Sequence, residues 1–448
     1  LVETVRAALG RSIVDRLFEG AETLQVIGLA AQTETRLLHE MGEEGEALLT
    51  PTTLDALVLA AERPTAFITA GFASLRAIDP AGCRPFHSQR NGLVPGAALA
   101  ALVLDHDGPG PWLSGWGARM DANHLTGPDR SGSGLAAACR QALRAVVPAQ
   151  VVAHGTGTRY NDDAESLAYE AVCPDVPVTA FKGLLGHSLG ACGLVDVVLA
   201  LTARQRRRIP GTVGTATPGC AGAIRLLPPG EHPLAAGPIL IANAGFGGLN
   251  GAVVISDSPP DVAALHHAQQ ASWGSPLPAR VELDHLGWSS GGQRLGTWSE
   301  PAEPGTLPRL SAHDVLGNPD NGWGRLDLAS RALVALANRL QPMPEDTAVV
   351  LLSDSGCAAS DRQFELARLA GQEDPQRFPY TLPSTPVGEV SIRLRLRGTG
   401  LCLLGADESQ GRAIAADLLT EGAAAVLLAR VEADRPPHRA WAELWTRG

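Results

Sequence analysis

Two histidines, a lysine and two acids share one short stretch, residues 151–193, VVAHGTGTRYNDDAESLAYEAVCPDVPVTAFKGLLGHSLGACG. His154 and His187 can hold or move a proton near neutral pH. Lys182 brings a fixed positive charge, and Asp162 and Glu165 bring carboxylates to balance it. Glycines flank the histidines and follow the lysine, and they let backbone approach a ligand closely. A lone histidine is usually structural, and a lysine near a helix start is usually a solvated charge. The group, spread over successive strand ends, argues for a shared site.

The elements that position these residues follow from the local pattern. Residues 151–153 end a strand. Residues 161–172 have helical spacing, with Asn161 as the expected cap and acids in the first turn. Residues 178–181 alternate as a short strand, and a long helix is expected from about His187. Strand ends present side chains on a rigid base without burying polar backbone.

H-G-T-G-T followed by N-D-x-x-E, then K-x-x-x-G-H-x-x-G-A-x-G, resembles the C-terminal half of a β-ketoacyl synthase (ketosynthase) of the thiolase-like superfamily. N-A-G-F-G-G-L-N, from Asn243 to Asn250, resembles that family's glycine-rich loop, one residue short. The resemblance spans about residues 55–256. It implies an α/β, thiolase-like layered α-β-α-β-α fold and a condensing enzyme of fatty-acid or polyketide biosynthesis. That enzyme would decarboxylate a malonyl thioester and form a C–C bond. By the same resemblance His154, His187 and Lys182 are catalytic, both imidazoles donating to an enolate oxygen. Lys182 pairs with Glu165, and Asp162 supports them. Thr156 and Thr158 hydrogen-bond a pantetheine arm, Phe246 and Gly247 gate an acyl pocket, and Asn243 contacts substrate. The implied partner is an acyl carrier protein bearing phosphopantetheine, within a homodimer or a heterodimer with a second ketosynthase-like subunit. Neither a metal nor a separate cofactor is expected.

The nucleophile breaks this pattern. Ketosynthases hold the acyl group on a cysteine at a helix N-terminus, where the dipole stabilises the thiolate. The corresponding stretch, residues 29–33, reads LAAQT, with Gln32 as a non-condensing substitute. Cys192, Cys357 and Cys402 are read as packing residues. Upstream, His87 replaces an acid after Cys83-Arg84-Pro85-Phe86, and Ala97 replaces a glutamate. An alternative is therefore a non-condensing, chain-length-factor-like partner subunit. Another is a cysteine in a segment not included in the sequence, which starts at Leu1. Gly186-His187-Ser188-Leu189-Gly190 also fits G-x-S-x-G, so a serine acyltransferase or hydrolase using Ser188 with His232 or His266 is a third reading.

Bulk properties narrow the classes. The chain has 448 residues, 45% hydrophobic, with a net charge of −11, which disfavours a nucleic-acid partner. Seven cysteines form no C-x-x-C pair, as expected for a reducing cytoplasm. The apolar run at 93–104 is broken by Pro95 and too short to span a bilayer. No signal peptide is read at the start of the sequence.

Four segments are expected. Residues 1–108 are the end of a ketosynthase N-terminal half, with a helix over 1–18 and strands over 24–31, 54–61 and 92–105. Residues 109–258 are the C-terminal half, with Ser133 capping a helix over 134–146. Its helix over 194–208 ends in the basic cluster Arg204 to Arg208, a solvated turn or a carrier-protein dock, and a hairpin closes it at 239–255. Residues 259–310 read as linker, because 287–308 is rich in Gly, Ser and Pro. Residues 311–448 are a second, partial ketosynthase-like unit. FPYTLP at 378–383 and GEVSI at 388–392 resemble an N-terminal half, and AVLLA at 425–429 echoes residues 54–62.

Overall fold

The computed structural model describes residues 26–27, 56–104, 110–259, 279–434 and 436–446. The first strands, β1 (Val26–Ile27), β2 (Ala56–Glu62) and β3 (Ala98–Leu104), form a small sheet in that order. Between β2 and β3 runs α1 (Ala66–Ser74), capped by Thr65, whose Oγ1 accepts from the Ile68 N–H.

A six-stranded sheet follows. Its strands are β4 (Trp112–Met120), β5 (Gln150–Ala153), β6 (Pro177–Ala180), β8 (Arg225–Leu226), β10 (Ile239–Gly245) and β11 (Leu249–Ser256). They lie in the order β4-β11-β10-β5-β6-β8. β5 and β6 run parallel to β10 as short apolar strands, the signature of a sheet covered on both faces. The helices of this segment are α2 (Ser133–Leu143), α3 (Arg159–Val172), the single turn α4 (Lys182–Leu185) and α5 (Cys192–Arg206). α2 lies against β4 so closely that a Cβ on Gly115 would sit 2.0 Å from the Ala142 carbonyl oxygen. The alternating glycines of β4 are therefore a packing surface. Leu240 and Ala242 of β10 face the α2–α3 side, while Ile239 and Ile241 face α5. α5 also packs on β3, so it lies between the small sheet and the large one. β7 (Arg208–Pro210) and β9 (Glu231–Pro233) form a separate ribbon.

The C-terminal part carries β12 (Ala279–Leu283), β13 (Gly287–Ser290), β14 (Gln293–Thr297), α6 (Ala312–Leu316), α7 (Leu328–Arg339), β15 (Thr347–Ser353), α8 (Ala358–Leu369), α9 (Thr385–Leu394), β16 (Gly400–Leu404), α10 (Glu408–Thr420), β17 (Ala425–Glu432) and β18 (Arg439–Thr446). Its strand order is β14-β13-β12-β18-β17-β15-β16. The five strands β12-β18-β17-β15-β16 repeat the order and directions of β4-β11-β10-β5-β6. This match pairs β17 with β10, whereas the sequence echo of residues 54–62 in 425–429 pairs it with β2 of the small sheet. α7 is buried around its whole circumference from Ala329 to Ala337 and shares a core with Met120 of β4.

Several expectations are corrected. The stretch read as linker contributes β12, β13 and β14 to the second sheet. Its Gly/Ser/Pro composition hides two packing tryptophans, Trp288 and Trp298, with ring centroids 5.2 Å apart. Ser133 is not a cap: Gly132, at φ 69°, holds that position, and the Ser133 hydroxyl donates to Asp129. Nor is Asn161, since α3 starts two residues earlier after Thr158, and the Asn161 amide turns to Glu165. The long helix does not begin near His187. The backbone of His187 pairs with residues 94–96, so α5 starts only at Cys192, after a 3-10 turn at Leu189–Ala191. In the basic cluster Arg204 pairs with Asp257 and Arg208 with Glu231. Gln32, His266 and the expected helix over 1–18 lie outside the described residues, as does most of the strand expected over 24–31. Among the described residues no helix is long and apolar enough to cross a membrane.

Candidate functional site

Three strand ends and one loop bring the polar residues together. β5 ends at Ala153 and delivers His154; β6 ends at Ala180, two residues before Lys182; β10 carries Asn243 near its end. His187 is held from outside the sheet. Its N–H donates to the Val94 carbonyl at 2.7 Å, and its own carbonyl accepts from Gly96 at 2.9 Å. The two imidazoles meet edge to face, with centroids 5.1 Å apart. His154 is 3% exposed, His187 8% and Lys182 2%.

The acids do other work than expected. Glu165 does not pair with Lys182. It accepts from the His154 and Gly155 N–H groups, at 2.5 and 2.8 Å, and from the Tyr169 hydroxyl at 2.6 Å. Asp162 accepts from the Phe86 N–H at 2.7 Å and the Gly157 N–H at 3.2 Å, with the Arg90 guanidinium 3.6 Å away. Both carboxylates thus build the turn 154–158, where Gly155 and Gly157 take positive φ. The partner of Lys182 is Asp196 of α5, Nζ to Oδ2 3.3 Å. Residue spacing offered one signal for it: Cys192 and Asp196 are four apart, hence on one face of α5. Asn243 joins the same group. Its Nδ2 lies 3.3 Å from Asp196 Oδ2, and its Oδ1 lies 2.7 Å from His154 Nδ1 and 3.2 Å from Cys192 Sγ. Cys192, read from the sequence as a packing residue, is therefore in the site.

Electrostatics follow from this burial. Burial, then the Lys182 charge, pushes His154 and His187 well below the ordinary imidazole value, so both are neutral at pH 7. Against the cost of burial, the Asp196 carboxylate holds Lys182 above its ordinary value. Burial pushes the Cys192 thiol up to about 11, which leaves it protonated. The His187 tautomer is legible: the Leu189 N–H donates to its Nδ1 at 3.1 Å, so the ring proton of the neutral side chain sits on Nε2. A buried neutral donor beside a buried cation can meet negative charge as it develops on a carbonyl oxygen.

Other expected site residues divide. Phe246 is half-buried against Phe72, centroids 5.9 Å apart, and Gly247, at φ +85°, donates its N–H to the Leu125 carbonyl. Thr156 faces inward, its Oγ1 2.9 Å from Thr158 Oγ1 and 3.3 Å from Asp162 Oδ1. Ser188 is buried, and α4 separates it from the nearest preceding strand. It is therefore not on the strand–turn–helix elbow that a serine nucleophile needs. His232, the expected proton acceptor of that reading, instead lies 2.7 Å from the Pro228 carbonyl. A hollow of about 360 Å³ between the two repeats is lined by Arg119, Met120, Ser133 and Arg397 among others, and by neither histidine.

Comparison with known proteins matches residues 112–216 to the family model "Beta-ketoacyl synthase, C-terminal domain". A "Putative polyketide beta-ketoacyl synthase 1" of Streptomyces cyaneus is 33% identical over 190 residues, 39% of this chain and 45% of that protein. The "Actinorhodin polyketide putative beta-ketoacyl synthase 1" of Streptomyces coelicolor is 32% identical over 231 residues, 46% of this chain and 49% of that protein. The chain thus spans about half the length of the curated relatives it matches. The solved structure "PfaC Keto synthase-Chain length factor" superposes with a TM-score of 0.61 at 14% identity, covering 87% of this chain and 55% of that one. That likeness shows the fold, a thiolase-like arrangement of layered sheets and helices.

Proposed function

From a chain that carries a β-ketoacyl synthase C-terminal domain over residues 112–216, we propose a site that decarboxylates a malonyl thioester carried on the phosphopantetheine arm of an acyl carrier protein. The observation that carries this reading is the pair of neutral imidazoles 5.1 Å apart above a buried Lys182–Asp196 pair. Loss of carbon dioxide breaks the bond between the carboxylate and the α-carbon, and its electron pair passes into an enolate. In this reading His187 Nε2–H donates to the enolate oxygen, with His154 completing the site and the Lys182 charge favouring the anion. The enolate then attacks an acyl thioester, expelling its thiolate, or takes a proton from water to leave an acetyl thioester. A polyketide β-ketoacyl synthase and a 3-oxoacyl-[acyl-carrier-protein] synthase among the matched relatives support an acyl-carrier context. Release of labelled carbon dioxide from malonyl-carrier protein tests the reading; no release, alone or with an added ketosynthase, overturns it.

One observation favours the partner-subunit reading for the C-terminal repeat. Where β16 leads into α10, residues 405–409 read GADES and hold no cysteine, and the Asp407 carboxylate accepts from the Gln410 N–H and caps the helix. That repeat therefore shapes the fold around the site and does not hold an acyl group.

A further inference from the structure

Asn243 joins three groups of the site, and its orientation is fixed by what each can do. Lys182 keeps Asp196 as an accepting carboxylate, so the group 3.3 Å from Asp196 Oδ2 is the Asn243 NH₂. The carbonyl Oδ1 then faces His154 Nδ1 at 2.7 Å and Cys192 Sγ at 3.2 Å. A carbonyl oxygen only accepts, so both neighbours donate. A neutral imidazole has one ring proton, which in His154 must sit on Nδ1. Its Nε2 is then a bare lone pair. His187 is the reverse, with Nδ1 accepting from Leu189 and the proton on Nε2.

We propose that Asn243 and Cys192 are positioning residues that hold His154 in the Nδ1–H tautomer, so that the two histidines have opposite roles, His154 accepting at Nε2 and His187 donating. Asn243 is thus not a substrate contact. The Cys192 thiol is the second donor to the amide oxygen; protonated by burial, it hydrogen-bonds and does not attack. The tautomer is a property of the fold; only its consequence for rate rests on the decarboxylase reading. The enolate oxygen then receives one imidazole donor, from His187, while His154 Nε2 holds a water or takes a proton.

The test is two-bond proton–nitrogen correlation on protein labelled with [15N]histidine, His154 being assigned by the signal lost in His154→Gln. Wild type should show His154 protonated at Nδ1 and His187 at Nε2. Asn243→Leu, close in volume, should turn His154 into a mixture of tautomers. Cys192→Ala should move it part of the way, and Cys192→Ser, which restores a donor, should return it. Malonyl-carrier decarboxylation should fall about fivefold in Cys192→Ala, the worth of one hydrogen bond, and recover in Cys192→Ser. A wild-type His154 protonated at Nε2 overturns the proposal. So does an Asn243→Leu variant that is folded by circular dichroism yet keeps a single Nδ1–H form. Absence of decarboxylation in wild type counts against the functional reading alone and leaves the tautomer result decisive.

Discussion

Lys182 is paired with Asp196 across 3.3 Å, both side chains 3% exposed, and Glu165 is engaged elsewhere. Removing one member of a buried pair leaves the other charge uncompensated, at about 3–5 kcal/mol. Lys182→Met should therefore lower stability by that order, and the double variant Lys182→Met with Asp196→Asn should recover much of it. Glu165→Gln should give no comparable rescue of Lys182→Met. Urea midpoints of the four proteins measure this; equal rescue by both acids' variants would put the partnership back in question.

The glycine-rich loop carrying Phe246 rests on the second repeat. A Cβ on Gly388 of α9 would sit 2.6 Å from the Gly247 Cα, and backbone cannot swing aside. A Cβ on Gly71 would sit 2.0 Å from the ring of Phe378. Each contact joins the C-terminal repeat to an element beside the site. Gly388→Ala and Gly71→Ala should each cost about 1–3 kcal/mol by overpacking. Gly388→Ala should also displace Phe246, raising proteolysis within 243–250. Wild-type melting and cleavage in both variants would show that the repeats do not meet there.

Much of this site was legible because its residues are local. His154, Lys182 and His187 follow or flank strands short and apolar enough to read, and the motif spacing placed all three together. What was not legible depends on long-range packing. Spacing puts Asp196 on the Cys192 face of α5 but does not choose it over Glu165 as partner of Lys182, since both are acids on helices; only the approach of α5 to β10 decides. The hairpin of β13 and β14 was read as linker because glycine and serine dominate it, while Trp288 finds its partner Trp298 only after the strand has turned. The repeat of strand order, β10 matched by β17, was not the echo visible in sequence, which sets residues 54–62 of β2 against 425–429 of β17; topology survives substitutions that erase identity.

Among the carboxyls that burial raises, Asp162 and Asp434 reach about 6 and Glu165 and Asp361 about 7. Their unfolded values lie near 4. A carboxyl raised on folding favours the native state while protonated, so its contribution is full below about pH 4 and is lost as pH rises through about 6 to 7. Stability should accordingly fall between pH 5.5 and 7.5. Asp361→Asn, whose neighbour is the Cys357 thiol at 3.5 Å, should flatten that slope. Urea titrations at the two pH values check it, and parallel slopes for variant and wild type would remove Asp361 from the account.

His187 donates from Nε2 because the Leu189 N–H occupies its Nδ1. If that donor meets the enolate oxygen, truncation to alanine forfeits a charge-assisted hydrogen bond made chiefly in the transition state. Loss of one such donor costs about 3 kcal/mol, on the order of a hundredfold in rate. His187→Ala should lose that much malonyl-carrier decarboxylation. His187→Gln, whose amide can still donate, should keep more of it. At His154 the order should differ, because the group required there accepts and does not donate; His154→Gln should rescue His154→Ala only through its carbonyl oxygen. Both alanine variants should retain the wild-type circular dichroism spectrum, since neither imidazole is charged in the native state. Rates equal to wild type in His187→Ala would remove the donor from the mechanism, and equal rates for His187→Ala and His187→Gln would show that donation is not what His187 contributes.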